Sequence, residues 1–192
     1  MNEANDYDSV SFGNDIITDS LLASIPLITE SHFNFGVDAD DNVDKELINL
    51  NEKQINFLYS SDELIKYREF FGFTSYFYGR MPLKNGLLPL LIINTDLSHA
   101  IYLDCFLINK DGEVEGMFNP SYIEIVDYSL YGRGYFINDS TYSLTAIAYH
   151  DLEDNPNTIV KDSSIFQIRM AYKAGVIKSL VKEFSNNITA EK

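Results

Sequence analysis

Asp38, Asp40, Asn42 and Asp44 stand at alternate positions, the spacing with which oxygen ligands line a calcium loop. An EF-hand beginning at Asp38 would need Gly at position 43 and Glu at position 49. Those positions hold Val43 and Asn49, so the motif fails and only a looser calcium site is left open. The simpler reading is a solvated acidic loop before a helix, whose N-terminus favours Asp. Accordingly, no metal and no cofactor is expected to be required.

Other reactive groups are scattered. His32, His99 and His150 lack zinc-ligand spacing, so a metal site would have to be assembled in space. Cys105 is the only cysteine. It lies in an apolar run with no His or Lys beside it, which suits a small hydrophobe better than a nucleophile. There is no G-x-S-x-G and no Walker loop, and Gly132-Arg133-Gly134 is too short to cradle a phosphate. Asp104, Glu113, Glu115, Glu124 and Asp127 fall in strand-like stretches. Two of them could flank a glycosidic bond, but on alternating strands they read more simply as a wet face. No enzyme is predicted.

Tyrosine is the most suggestive feature. Tyr76, Tyr78, Tyr102, Tyr122, Tyr128, Tyr131, Tyr135, Tyr142 and Tyr149 fall in or beside strand-like runs. Tyr is an ordinary strand former. It also carries a rigid apolar ring with a polar tip, as sugar and protein recognition require. Tyr102, Phe106, Tyr122, Tyr135 and Tyr142 are the candidate binding residues on this ground.

These residues must be positioned by strands. Ala100–Ile108 is apolar, β-branched and aromatic, and Asn109-Lys110-Asp111-Gly112 follows as a turn into an alternating return strand. Residues 133–137 and 141–149 repeat the plan around Asn138-Asp139-Ser140. Leu87–Asn94 is nearly all apolar and predicts a strand covered on both faces, with Asn85-Gly86 as the turn before it. Asn51 and Gln54 have capping-box spacing, as do Ser60 and Glu63, which predicts two short helices over about 51–59 and 61–71. In the central strand, Leu103 and Cys105 share an uncharged side and are assigned to the core. Asp104, with Tyr102 and Phe106, is expected to be at least partly exposed.

The fold expected is α+β, a dominant antiparallel β-meander of six to eight strands with two short helices near residues 51–71. Residues 1–15 are read as a flexible polar tether, 16–182 as a single β-rich domain and 183–192 as a frayed tail. Net charge is −15, and the first 46 residues hold eleven Asp or Glu against Lys45 alone. Such a balance repels phosphate backbones and anionic lipid, so no nucleic-acid partner is expected. The start of the chain has neither a basic n-region nor an apolar h-region, and reads as a tether or as a chain whose export signal was removed.

The order of elements, carried by residues 49–58, 73–94, 100–118, 132–151 and 163–177, resembles uncharacterised bacterial cell-envelope lipoproteins built on a β-meander. The resemblance implies an exported β-rich domain in the periplasm or at the cell surface, touching membrane only through a lipidated N-terminal cysteine that this sequence lacks. It implies no site residues. The function expected is non-enzymatic binding of a protein or glycan partner through an aromatic sheet face. The alternative is an acidic inhibitor or immunity-type protein that blocks a basic toxin or enzyme.

Overall fold

The computed structural model describes residues 12–34, 47–60, 65, 72–96, 100–125, 129–152, 155–171 and 175–189. Among the described residues, ten strands and two short helices follow one another in this order: α1 (Asp19–Ser24), β1 (His32–Asn34), β2 (Ile48–Asn49), α2 (Glu52–Leu58), β3 (Thr74–Arg80), β4 (Leu88–Thr95), β5 (Ala100–Ile108), β6 (Val114–Ile125), β7 (Ser129–Asn138), β8 (Thr141–Leu152), β9 (Asn155–Ala171) and β10 (Gly175–Thr189). Strands β3 to β10 pair consecutively and antiparallel, with β2 beyond β3 and β1 against β7. The meander expected from the turn signals is present. The total exceeds six to eight by two very short strands: β1, three residues where His32-Phe33-Asn34 alternates polar and aromatic, and β2, two residues with no period to read.

Turn chemistry sets the register. Asn85 (φ 51°) and Gly86 (φ 77°) close a two-residue hairpin in which Lys84 and Leu87 exchange both backbone hydrogen bonds. At the turn between β5 and β6 only Gly112 has positive φ (75°), so Asp111-Gly112 is not a two-residue turn. Instead the Asn109 side chain accepts from the Asp111 and Glu113 amides and holds a longer loop.

Strands β4 and β5 are covered on both faces. Leu91, Ile93, Leu103, Cys105 and Leu107 face one core with Phe118, Phe136, Tyr142, Ile168 and Met170. Leu88, Leu90, Ile92, Phe106 and Ile108 face a second core closed by Phe12, Ile17, Leu22, Leu58 and Tyr59. Each fully buried Leu or Ile contributes about 1.5–3 kcal/mol, so this slab is the most heavily stabilised part of the sheet.

Two sequence expectations change. Phe12 to Asp15, read as the end of a tether, belong to the fold: Phe12 is buried and Asn14 donates to the Gly112 carbonyl at 2.7 Å. Residues 1–11 lie outside the described residues, as does most of the helix expected over 61–71. Glu183–Thr189, read as frayed tail, is strand paired to β9 from Ser164 back to Thr158. A long neighbouring strand offers backbone partners whatever the side chains, and the sequence pattern does not register that. The helix expected over 51–59 forms, with both halves of its capping box made between Asn51 and Gln54.

Candidate functional site

Asp104 is not on a wet face. It is 5% exposed, on the side of β5 that the second core covers. Its Oδ2 accepts from the Tyr59 hydroxyl at 2.5 Å and from Asn94 Nδ2 at 2.7 Å, and its Oδ1 accepts from Asn119 Nδ2 at 2.5 Å. Asn94 Oδ1 accepts in turn from the Ser75 hydroxyl. Four strands and a helix end meet here: Ser75 on β3, Asn94 on β4, Asp104 on β5, Asn119 on β6, and Tyr59 as the C-cap of α2. A buried carboxylate is tolerated when its lone pairs are filled, and three donors do that here.

Asn119 reaches Asp104 because of a bulge. Leu103 stands opposite Ser121 and Cys105 opposite Phe118, so Asn119 and Pro120 share the place opposite Asp104. Pro120 has no amide to give the ladder, and a bulge is where a strand interior accepts it. Its carbonyl accepts from the Tyr142 hydroxyl at 2.8 Å. That ring lies over Gly134, where a Cβ would come within 2.6 Å of Tyr142 Cε1.

Next to this polar lock lies an aromatic pair. Tyr102 stands directly opposite Asn94 on one side and Tyr122 on the other. The Tyr102 and Tyr122 rings stack at 5.9 Å and 23°, and Phe73 meets Tyr102 edge-on at 5.6 Å. The Tyr102 hydroxyl donates to Glu124 Oε2. Burial first, and the Glu124 charge second, raise the Tyr122 phenol above its ordinary value of 10.0. Tyr122 lies flat only because its opposite residue is Gly132, where a Cβ would be 2.2 Å from Cε1. Both tyrosines and Glu124 are half-buried, leaving part of each reachable from solvent.

The remaining candidates separate. Phe106 and Tyr142 are fully buried and present nothing to a partner, so both leave the binding set. Phe106 packs edge-on against Tyr59 at 5.0 Å, because both faces of β5 are interior. Tyr135 is exposed but stacks on His32 at 5.3 Å, on the half of β7 that pairs with β1. Asp38, Asp40, Asn42 and Asp44 lie outside the described residues. Cys105 is buried, and burial with the adjacent Asp104 charge pushes its thiol well above the ordinary range. His150 Nδ1 is 3.7 Å from Asp162, and no group of three metal-ligating side chains occurs among the described residues.

Tyr59, Asn94, Ser75 and Asn119 were not singled out from sequence. The available signals were single polar residues in apolar runs, Asn94 after Leu90–Ile93 and Asp104 between Leu103 and Cys105, and a proline inside a strand.

No family model matches the chain, and neither does any curated protein or solved structure. Among the described residues, no helix is long and apolar enough to cross a membrane.

Proposed function

We propose that the protein is a non-enzymatic binding protein whose ligand is a glycan held at Tyr102, Tyr122 and Glu124. The observation that carries this reading is the half-buried, stacked tyrosine pair with a carboxylate at its rim. Aromatic rings give apolar contact to the C–H face of a sugar, and a carboxylate accepts from its hydroxyls. The Asp104 lock fixes the strands beneath, so the rings are held before a ligand arrives. Placement in a bacterial envelope rests on the resemblance of the element order and belongs to the same proposal.

A second reading, an acidic inhibitor of a basic protein, is favoured by the net charge of −15. Salt separates the two. Sugar contacts through rings are nearly salt-independent, whereas charge-steered protein association weakens steeply as salt rises.

The test is a glycan panel probed with the full chain, followed by calorimetry of any ligand found. Tyr102→Ala and Tyr122→Ala are expected to lose at least tenfold in affinity, the equivalent of about 1.4 kcal/mol. Unchanged affinity in both variants, or a panel without a ligand, rejects the glycan reading.

A further inference from the structure

Strand β10 ends the sheet and pairs only with β9 among the described residues. Gly175 and Val176 lie against Glu115 and Gly116 of β6, and from Ile177 onward the outer edge offers a row of backbone donors and acceptors, the usual template for a further strand. Its side chains are also uncovered: Ile177 is 56% exposed, Leu180 50%, Val181 55% and Phe184 40%. Such a concentration of large apolar groups on one edge marks an interaction surface.

The pairing with β9 fixes which face each residue occupies. Lys178 stands opposite Ile168 and Glu183 opposite Ser164, so both lie on one face. Ile177 stands opposite Arg169 and Phe184 opposite Ser163, so both lie on the other. Residues an odd number apart share a face only because Val181 is an extra residue, bulged between Leu180 and Lys182. A bulge commonly protects an edge; here it makes the edge complementary to itself.

We propose that β10 is the seam of a homodimer, pairing antiparallel with β10 of a second copy about a two-fold axis at the Leu180–Val181 bulge. Opposite residues must share a face, and a two-fold axis makes every contact occur twice. In this register Lys178 meets Glu183 and Ile177 meets Phe184, each twice, and Ser179 meets Lys182. The central bulges face one another, and the regular ladder runs outward from them. Sliding by two residues keeps the faces matched but sets Lys182 against Ile177, or Glu183 against Leu180. Charge and apolar complementarity therefore select one register and one occupant, a second copy of this chain. The seam uses neither Tyr102 nor Tyr122, so it stands or falls independently of the proposed ligand site.

Sedimentation equilibrium of the full chain across the micromolar range tests it. Wild-type protein is expected to dimerise. Lys178→Glu alone, or Glu183→Lys alone, turns two attractive pairs into two repulsive ones and should weaken the dimer about tenfold. Mixing the two variants restores opposite charges across the seam and should recover wild-type affinity in a heterodimer, as should the double exchange in one chain. Both residues are exposed, so folding is kept, and circular dichroism checks this. A monomer throughout the range overturns the proposal, as does a dimer indifferent to both reversals or one that mixing fails to restore.

Discussion

The Tyr59 hydroxyl lies 2.5 Å from Oδ2 of Asp104 and ties the end of α2 to the middle of β5. The bond spans 45 residues and is buried, so it joins the helical layer to the sheet where water does not compete. Removing the carboxylate takes the shared acceptor from three donors at once and leaves Tyr59 and Asn94 their bonds to each other, at 3.1 and 2.8 Å, and Asn94 its bond to Ser75. Asp104→Ala is therefore expected to cost about 3–5 kcal/mol, and Tyr59→Phe about 1–3 kcal/mol. Urea melts of both variants check this; a loss within about 0.5 kcal/mol for Asp104→Ala, the value for an exposed position, would contradict the burial.

That reversal shows where the sequence stops being informative. Alternation puts Leu103 and Cys105 on one side of β5 and Asp104 and Phe106 on the other, and this is how they lie. What covers the Asp104 side comes from Phe12, Leu22, Leu58 and Tyr59, contributed by segments distant in sequence, and no local period reveals it. Leu88–Thr95 was readable because a continuous apolar run needs cover on both faces whatever supplies it. Capping pairs and Asn-Gly were readable because their chemistry is local. Of the site, the Tyr102 and Tyr122 residue types were legible, but their stacking was not. It depends on register across the Asn119-Pro120 bulge, which only the folded sheet defines.

Glycine at two positions makes room for rings, with different consequences. A Cβ at Gly134 would be 2.1 Å from the Ser143 carbonyl, which is backbone, whereas at Gly132 the obstacle is the Tyr122 ring, which can swing out. Gly134→Ala is expected to cost about 3 kcal/mol or more, and Gly132→Ala about 1–2 kcal/mol, by overpacking. Gly132→Ala should in addition abolish ligand binding by displacing Tyr122. Thermal melts give the order, and equal costs would contradict it.

Alkaline pH should unfold the protein abruptly. Burial raises the Tyr142 phenol far above its ordinary 10.0, with Cys105 adding to it; burial and then Glu30 raise Tyr78, and burial and then Glu124 raise Tyr122. A folded-state pKa above the unfolded one means the neutral form is favoured in the fold. The stability this represents is intact below pH 10 and is lost as pH climbs from there towards the folded values. Absorbance of tyrosinate and far-UV circular dichroism, followed together, should show Tyr142 ionising only as the sheet is lost, and Tyr78 and Tyr122 ionising above the ordinary phenol range. Complete titration of all 13 tyrosines with the sheet intact would refute this.

Cys105 reports the opening of the slab. Its thiol is buried and its pKa is raised, so a disulfide reagent should react only when the structure opens. Labelling should be slow in native buffer and rise in step with unfolding in urea. Rapid stoichiometric labelling without denaturant would show that β5 is not interior.

The most direct measurement of the proposed site is tyrosine-ring NMR of the full chain, assigned by single Tyr→Phe variants and titrated with the glycan that the panel identifies. The largest shifts are expected on Tyr102 and Tyr122 and should shrink sharply in Glu124→Gln, while Tyr142 stays still. Shifts confined to Tyr135 or to the Tyr131–Tyr149 pair, with Tyr102 and Tyr122 unmoved, would place the ligand elsewhere and contradict it.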